Sequence, residues 1–314
     1  MDLLADALAV SGVRGAVGAR VEGAEPWAVA WDAIDRAVIY ALTTGTAWLN
    51  LPGRAPLQLL PGDVVLLRNG AGHVISSDPG ALAPQCDHAA AEHARKSGEV
   101  LRFGSGEVRT HLVSASYEND PAISTQVLGS LPELVHLPAD HSGSCLEDTV
   151  RLIARELAYP QLGTAIVLDR FVDILLVQLL RVWLAHHPEE AKKSWLGVLD
   201  DPLLSAALTK LHGDPAYPWT TANLAAELAV SRATLSRRFL AGTRESPGAY
   251  LTNWRMDLAA RRLRDSDDTL ETIARAVGYT SVYAFSRAFS RARSQPPGRY
   301  RITSRTDDSV RRTG

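Results

Sequence analysis

The stretch IARAVGY at residues 273–279 decides the fold, because LAAELAV at residues 224–230 carries the same pattern 49 positions earlier. A single inserted residue, Thr280, lengthens the offset to 50, and the two copies then stay in step as far as PGAY at 247–250 and PGRY at 297–300. Solenoid repeats need at least three copies to bury a continuous core. Two copies of about 50 residues therefore predict two similar subdomains.

Each copy has the layout of a helix-turn-helix, in which two short helices pack across a tight turn. A small residue in the first helix lets the second helix approach, and a turn residue follows four positions later. A serine then stands where the second helix needs an N-cap, and two apolar residues spaced i, i+4 form its buried face. The matched pairs are Ala225 and Ala274, Ala229 and Gly278, Ser231 and Ser281, Leu235 and Phe285, and Phe239 and Phe289. We predict the two motifs at residues 220–241 and 269–292.

The face opposite each buried stripe carries side chains that suit DNA contacts. Arginine pairs bidentately with guanine edges and phosphates, and serine hydrogen-bonds to bases or to the DNA backbone. The candidates are Arg232, Thr234, Ser236, Arg237 and Arg238 in the first copy and Val282, Tyr283, Ser286 and Arg287 in the second. One such motif is common in helical proteins, whereas two in tandem favour DNA binding over a structural helical repeat.

The charge of the chain is divided unevenly along its length. Residues 218–314 contain 17 Arg, no Lys and nine acidic residues, a net charge of +8, and the remaining residues carry −10, which together give the −2 of the whole chain. A basic part joined to an acidic part suggests that only the basic part contacts a polyanion. A solvated basic face is the alternative, and the exclusive use of Arg favours phosphate and guanine contacts slightly.

The C-terminal third resembles the AraC/XylS family of bacterial transcription regulators over residues 218–301. The resemblance is most specific at residues 273–289 and at 297–301. It implies a seven-helix domain, residues 218–314, that places two recognition helices in successive major-groove segments on one face of the DNA. By position it implies that the base-facing residues are Ala233, Ser236, Arg237, Val282, Tyr283, Ser286 and Arg287.

Three places depart from the pattern of that family. Ala229 stands where the first turn usually has glycine, and Arg244 stands where a glycine usually precedes the Ser-Pro pair at 246–247. Arg293 and Ser294 replace the Phe-Gly pair that usually follows the second recognition helix. We expect these changes to alter local packing and to leave the fold intact.

Short strands separated by glycine or proline turns fill residues 27–75, and strand character returns at 107–117. Such even spacing predicts an antiparallel sandwich or barrel. Residues 45–49, 60–67 and 72–74 resemble the cupin-type sensor domain of one branch of the AraC/XylS family, which implies a cupin-like β-barrel in residues 1–140. Residues 77–98 are predicted as a loop from their composition.

Residues 141–217 are predicted as a helical dimerisation or linker segment, so the whole chain is an α+β multidomain protein. Leu146, Val150, Ile153 and Leu157 form one helical stripe, and residues 165–183 form a second helix that is apolar around much of its circumference. Its predicted apolar face is Val167, Leu168, Phe171, Leu175, Leu179 and Val182, widened by Ile174, Leu176, Val177 and Leu180. Burial against a second copy would cover this surface, and packing on the chain's own barrel is the alternative.

The predicted sensor domain lacks the full ligand set of a catalytic cupin metal site. His73 is present, but no His-x-His pair precedes it, and Tyr40 stands where this cupin branch often has a histidine. His73 could join Cys86, His88 or His93 around zinc or copper, although a structural role for the histidines is favoured. Cys86 in the predicted exposed loop could react as a thiolate, and Cys145 opens a helix that we expect to bury it.

These observations predict a transcription regulator that binds double-stranded DNA, senses an unknown small effector and forms a homodimer. An activator would also contact RNA polymerase. The alternatives are a redox- or metal-responsive regulator acting through Cys86 and His73, and a cupin metalloenzyme with a helical accessory domain. We expect no cofactor, no bound metal and no catalytic residues. The two cysteines and the absence of a leader or spanning segment predict a cytoplasmic protein without membrane contact.

Overall fold

The computed structural model describes residues 2–11, 14–34, 36–87, 89, 91, 93, 99–118, 127–139, 143–192 and 195–313. The chain divides into two compact units, each assembled from segments that are distant in sequence. The β unit comprises residues 13–119 and 131–187, and the helical unit comprises residues 1–12, 120–130 and 188–314. The predicted combination of a cupin-like β domain with an all-α C-terminal domain is confirmed.

Two sheets form the β unit. The six-stranded sheet has the order β10-β6-β3-β9-β1-β8, and the four-stranded sheet has the order β2-β7-β4-β5. Neighbouring strands are antiparallel except β1 and β8, which run parallel. The strands are β1 Arg14–Ala24, β2 Ala28–Trp31, β3 Ala37–Thr44, β4 Ala47–Asn50, β5 Leu57–Leu59, β6 Val64–Leu67, β7 His73–Ser76, β8 Leu101–Gly104, β9 Val108–Glu118 and β10 Leu134–Leu137.

The core of the β unit lies between the two sheets. Because successive side chains of a strand point to opposite faces, each sheet directs alternate apolar residues inward. The buried cluster includes Val21, Tyr40, Leu42, Val65, Leu67 and Leu112 from the six-stranded sheet and Val29, Leu49, Leu59 and Ile75 from the four-stranded sheet. The apolar runs and glycine turns of residues 27–75 predicted a sandwich or barrel, and the two sheets that face each other across this core have that arrangement.

The Pro-Gly-Asp turn after β5 shows how a short motif positions a strand. Gly62 takes a φ of 96°, which favours glycine. The buried carboxylate of Asp63 accepts hydrogen bonds from the backbone nitrogens of Leu60 at 3.0 Å and Ala139 at 2.9 Å, and from Nε2 of His136 at 3.1 Å. The turn is therefore fixed to the end of β10, which pairs with β6 at the edge of the larger sheet.

Two long helices cover the larger sheet of the β unit. Helix α2, Gly143–Ala158, and helix α3, Thr164–His186, pack on each other and on β1, and the hydroxyl of Tyr117 donates to the carbonyl of Val172 at 2.7 Å. The sheet and α2 bury the apolar side of α3, so Leu175 is only 1% exposed. Leu175 of the predicted apolar face is therefore packed within the chain, which was the alternative, whereas Val167 and Ile174 of that face stay exposed.

Large apolar side chains stay exposed on this helix pair and on the loop between its two helices. They are Leu152, Tyr159, Leu162, Ile166, Val167 and Ile174.

None of the helices in the described part of the chain combines the length and the apolarity that a membrane span requires.

Seven consecutive helices lie within residues 195–313 of the helical unit. They are α5 Pro202–Gly213, α6 Thr221–Glu227, α7 Arg232–Thr243, α8 Pro247–Asp265, α9 Leu270–Ala276, α10 Val282–Arg293 and α11 Pro297–Thr313, and the short helix α4 Pro188–Ala191 and a 3-10 turn at Trp195–Asp200 precede them. The N-terminal helix α1, Leu3–Ser11, packs on α5 and α8. The helix α8 connects the two helix-turn-helix motifs and contacts α7, α9, α10 and α11.

Candidate nucleic-acid interface

The second helix of each motif begins at the predicted serine. Ser231 accepts a hydrogen bond from the backbone nitrogen of Thr234 at 3.0 Å, and Ser281 accepts one from that of Ala284 at 3.5 Å. Both serines have extended backbone conformations, as N-cap residues do. The local sequence therefore places the first turn of α7 and of α10 in the same way in both copies.

The buried stripe of each recognition helix is also the predicted one. Leu235 and Phe239 in α7 and Phe285 and Phe289 in α10 are all 0% exposed. These residues fix which face of each helix turns toward the rest of the unit, since i and i+4 lie on one side of a helix. The opposite face is therefore the one presented to solvent.

The predicted DNA contacts are distributed over that outer face. Six of them are exposed: Arg232, Ala233, Arg237 and Arg238 in α7, and Tyr283 and Arg287 in α10. The other four, Thr234, Ser236, Val282 and Ser286, are half-buried. The hydroxyl of Thr234 lies 2.8 Å from that of Ser231, so Thr234 contributes to the cap of α7 as well.

Positive charge on the outer face is concentrated in a few arginines. Within the described part of the chain, Arg232, Arg237 and Arg287 form no ion pair, and the guanidinium of Arg287 lies over the ring of Tyr283 at 5.8 Å. Arg238, which was predicted on the same face, pairs instead with Asp201 at 2.6 Å, and Asp201 also caps α5. The Asp201 carboxylate balances the charge of Arg238, which is less available to a phosphate for that reason.

Many other arginines of this unit are engaged within the protein. Their partners are carboxylates, as in Arg262 with Asp268 at 3.0 Å, Arg275 with Glu271 at 3.0 Å, Arg305 with Asp267 at 2.7 Å, Arg264 with Asp265 at 2.9 Å and Arg293 with Asp257. The count of 17 Arg thus overstates the number of arginines that are free for DNA, whereas the net charge of +8 already includes these carboxylates. Among the described residues of α7 and α10, Arg232, Arg237 and Arg287 therefore remain the exposed predicted contacts that keep an unbalanced positive charge.

The three departures from the expected glycine pattern share one backbone property. Ala229, Arg244 and Ser294 have φ of 54°, 61° and 55°, in the left-handed region that favours glycine. The second turn uses Gly278 at the matching position, with a φ of 82°. The fold therefore keeps the left-handed turns and accepts the strain of a side chain at three of them.

Comparison with known proteins identifies the chain. A cupin family model matches residues 2–185, and a helix-turn-helix domain model matches residues 224–302. An AraC-like transcription regulator from Streptomyces lividans is 36% identical over 303 residues, covering 96% of this chain and 98% of the relative. The chain belongs to the AraC-like transcription regulators.

Other proteins similar to this AraC-like protein are also transcription regulators. The HTH-type transcriptional regulator AlkR from Acinetobacter baylyi is 29% identical over 286 residues, covering 88% of this chain and 90% of the relative. The solved DNA-binding domain of AdpA, in complex with a target DNA, is 29% identical, covers 34% of this chain and 95% of that chain, and has a TM-score of 0.32. The relatives are transcription regulators and not enzymes, and the protein is a DNA-binding transcription regulator with an N-terminal cupin domain.

The predicted effector residues His73 and Cys86 lie in the core of the β unit. Nδ1 of His73 faces the carbonyl of Ala71 at 2.7 Å and donates to it, so Nε2 accepts from the hydroxyl of Tyr40 at 3.0 Å. Burial lowers the pKa of His73, which the bond to Ala71 partly opposes. The ring is therefore neutral at pH 7, with both nitrogens engaged.

The two cysteines are placed opposite to their predicted positions. Cys86 is 8% exposed, and its backbone nitrogen donates to the carbonyl of Ala30 in β2 at 2.8 Å. Burial raises the pKa of the Cys86 thiol to about 11, and the nearby Asp87 adds to this. The prediction of an exposed Cys86 is wrong, because the chain around it packs along β2. Cys145 is exposed near the start of α2, where burial was predicted.

The described residues do not form a metal site. The described residues contain no group of three or more His, Cys, Asp or Glu side chains suited to a metal ion. His93 is exposed, and His88 lies outside the described residues.

A cavity of about 620 Å³ opens into the β unit beside the Tyr40–His73 pair. Its lining combines apolar side chains with a few polar groups, as small-molecule sites do. The lining residues include Trp31, Ile34, Arg36, Val38, Tyr40, Leu101, Ser114 and Ser116. Sequence reasoning marked Tyr40 only as a replaced histidine. It missed the other lining residues, because they come from both sheets and from the loop between β2 and β3, which only the tertiary fold brings together.

Proposed function

We propose that α7 and α10 enter successive major-groove segments of one DNA site and read its bases. The observation that carries this proposal is the pairing of two equally long, serine-capped helices. Each exposes an arginine that forms no ion pair with any residue that the structure describes. The proposed readers are the predicted set Arg232, Ala233, Thr234, Ser236, Arg237, Val282, Tyr283, Ser286 and Arg287. Arg237 and Arg287 occupy equivalent positions and are the strongest candidates for guanine contacts.

The direct test compares Arg237→Ala with Arg275→Ala on a DNA site selected by the wild-type protein. Loss of a base-reading arginine should weaken binding by about 1–3 kcal/mol and relax the preference at one base pair. Arg275 is an exposed arginine on α9 that already pairs with Glu271, so its loss should change binding little. Full affinity and selectivity in Arg237→Ala would remove Arg237 from the readers.

Salt provides an independent measure of phosphate contacts. Neutralisation of phosphates releases counterions, so the logarithm of the binding constant should fall linearly with the logarithm of salt concentration. If the Arg237 side chain contacts bases, Arg237→Ala should relax the base preference and change the slope little. A smaller slope with an unchanged base preference would assign Arg237 to a phosphate contact.

The β unit is proposed to bind a small effector in the cavity beside Tyr40. The cavity volume and its mixed lining support this role. Filling the cavity with Val38→Trp should abolish an effector-induced change in DNA binding while leaving effector-free binding intact. An unchanged effector response in that variant would place the effector elsewhere.

A redox or metal response through Cys86 and His73 is the competing way to control the protein. The raised pKa keeps the Cys86 thiol protonated at pH 7, and thiolate is the reactive form. Cys86→Ser should therefore leave any response to oxidant or metal unchanged, as dose–response curves of DNA binding would show. Loss of the response in this variant would restore the redox hypothesis.

A homodimer is proposed through the apolar residues that stay exposed on α2 and α3. Ile166 and Ile174 lie two turns apart on α3 and are 69% and 44% exposed. Their joint replacement by Glu should yield folded monomers with weaker DNA binding, because two linked domains gain avidity on paired half-sites. A wild-type chain that sediments as a monomer at micromolar concentration, free and on DNA, would rule out the dimer.

The remaining assignments stay proposals as well. RNA polymerase is the proposed further partner if the protein activates transcription. The cytoplasm is the proposed location, because a regulator works where its promoter DNA is. The division into a sensor at 1–140, a helical segment at 141–217 and a DNA-binding domain at 218–314 is the proposed functional organisation.

A further inference from the structure

A short segment between α5 and α6, here called the strap (residues 214–219), lies across the turn of the second motif. It leads directly into Thr220, the N-cap of α6 and therefore the start of the first motif. A Cβ atom on Gly278 would lie 2.8 Å from the carbonyl oxygen of Ala216 and 3.0 Å from its Cα. The strap thus joins the start of the first motif to the turn of the second.

The strap is internally rigid. The carboxylate of Asp214 accepts from the backbone nitrogen of Tyr217 at 3.1 Å, and the indole of Trp219 donates to the carbonyl of Asp214 at 3.0 Å. The rings of Tyr217 and Trp219 also pack together, with centroids 4.5 Å apart. A movement of the strap would therefore carry the start of α6 with it.

One side chain fastens the strap to the connecting helix. Arg255, in the middle of α8, donates from Nε to the carbonyl of Pro215 at 2.7 Å and from Nη2 to the carbonyl of Tyr217 at 2.9 Å. The same Nη2 lies 2.9 Å from the Cβ position of Gly278. The planar fork of arginine suits such a two-point contact, which the single ammonium group of lysine does not reproduce.

The partners of Arg255 differ from those of the ion-paired arginines of this domain. Arg255 is half-buried and holds backbone carbonyls, whereas many other arginines of the unit hold carboxylates. Burial lowers the pKa of its guanidinium, which the neighbouring Tyr279 and Asp214 oppose. Charged donors make the stronger class of hydrogen bond, so a half-buried arginine with two carbonyl partners is a firm attachment.

We propose that Arg255 is a positioning residue that sets the placement of the first motif relative to the second, and thereby the spacing of the two DNA segments that the protein accepts. The proposal rests on the proposed reading of one site by both recognition helices. A shift of one base pair moves a DNA segment by about 3.4 Å and turns it around the duplex axis, so a rigid pair of motifs discriminates against it. A looser pair tolerates it.

The test measures affinity of the full chain for its selected site and for versions with one base pair inserted or deleted between the two segments. The wild-type protein should bind the altered sites at least tenfold more weakly. Arg255→Met should reduce that discrimination at least threefold, and Arg255→Lys should give an intermediate value. Arg261→Met on the same helix is the matched control and should keep the wild-type ratio, since Arg261 is exposed and does not contact the strap.

The ratio of affinities separates positioning from general loss of stability, because partial unfolding weakens binding to all three sites by one factor. The proposal would be overturned if folded Arg255→Met or Arg255→Lys lost the same factor of affinity on all three sites. It would also be overturned if either variant kept the wild-type ratio of affinities between the selected and the altered sites. The lysine variant decides the matter if the methionine variant does not fold. A wild-type protein indifferent to spacing would overturn the two-helix reading itself and this proposal with it.

Discussion

The two helix-turn-helix motifs share a frame and differ in how that frame is held. Each has a seven-residue first helix and a twelve-residue recognition helix. The first motif rests on an aromatic stack, in which the ring of His212 lies 3.6 Å from that of Trp254 and Nε2 of His212 bonds to the hydroxyl of Tyr250 at 2.9 Å. The second motif is closed by the buried ion pair of Asp257 and Arg293.

The comparison shows which features a repeat preserves. Caps, turn conformations and the i, i+4 apolar pair recur, since they determine the helix-turn-helix backbone. The supporting contacts differ: Arg293 corresponds to Thr243 of the first motif, whose hydroxyl donates to the carbonyl of Phe239 at 2.8 Å. Each motif should therefore respond to a different kind of perturbation.

Removal of the ion pair should have the largest effect. Asp257→Asn removes the negative charge of the buried pair with Arg293, and breaking a buried pair in this way costs about 3–5 kcal/mol. The loss should appear in the free energy of unfolding measured with urea. Glu271→Gln breaks the exposed pair with Arg275 in the same motif and should cost about 0.5 kcal/mol or less. Equal effects of the two changes would contradict the assigned role of the buried pair.

Gly278→Ala should come next in size. The left-handed φ penalises a side chain by about 1–2 kcal/mol, and the contact with the backbone of Ala216 adds overpacking of about 1–3 kcal/mol. Thermal or urea unfolding would measure the sum. A neutral result would show that the strap moves away freely, which the rigid attachment through Arg255 opposes.

Acid should weaken the first motif through His212. Burial lowers the pKa of His212 to about 3, whereas the unfolded chain has an ordinary value near 6.5. Between these values the unfolded state binds the extra proton, so stability is lost as pH falls below about 6.5. The loss from this group approaches about 1.4 kcal/mol per pH unit, or roughly 2 kcal/mol at pH 5.

Two variants isolate that contribution in urea unfolding at pH 7 and pH 5. His212→Phe should reduce the difference in stability between the two pH values by roughly 2 kcal/mol. Tyr250→Phe removes the same hydrogen bond but keeps the titrating ring, so it should retain the pH dependence. An unchanged pH dependence in His212→Phe would mean that His212 does not control it.

Ala229→Gly should have the smallest effect and the opposite sign. Relief of the left-handed strain gains about 1–2 kcal/mol, and the greater freedom of glycine in the unfolded chain removes about 0.4–1 kcal/mol of that. The net gain of roughly 0.5–1 kcal/mol would raise the melting temperature. Destabilisation would show that the methyl group of Ala229 packs favourably enough to outweigh its strain.

Local patterns predicted the motifs well because their determinants are close together in sequence. The serine caps, the apolar pairs and the positions of Ala229, Arg244 and Ser294 were all visible in the chain. The strands of residues 27–75 were predicted for the same reason, since alternation and turn residues act locally.

Long-range packing accounts for what the sequence did not predict. Cys86 is buried because its backbone pairs with Ala30, and α3, which carries the buried Leu175, packs on α2 and on β1. The engagement of Arg238 by Asp201 depends on α5, which begins before the predicted domain. The strap contains no sequence motif, so its role could not be predicted from the sequence. Its contacts with Arg255 and Gly278 appear only in the folded structure.

The most direct test of the central claim selects bound fragments from a random DNA library with the wild-type protein, Arg237→Ala and Arg287→Ala. If each motif reads its own segment, the two variants should relax the preference at different base pairs, about one helical turn of roughly 10 base pairs apart. Relaxation at the same base pair in both variants, or no relaxation in either, would contradict the reading of one site by two equivalent helices.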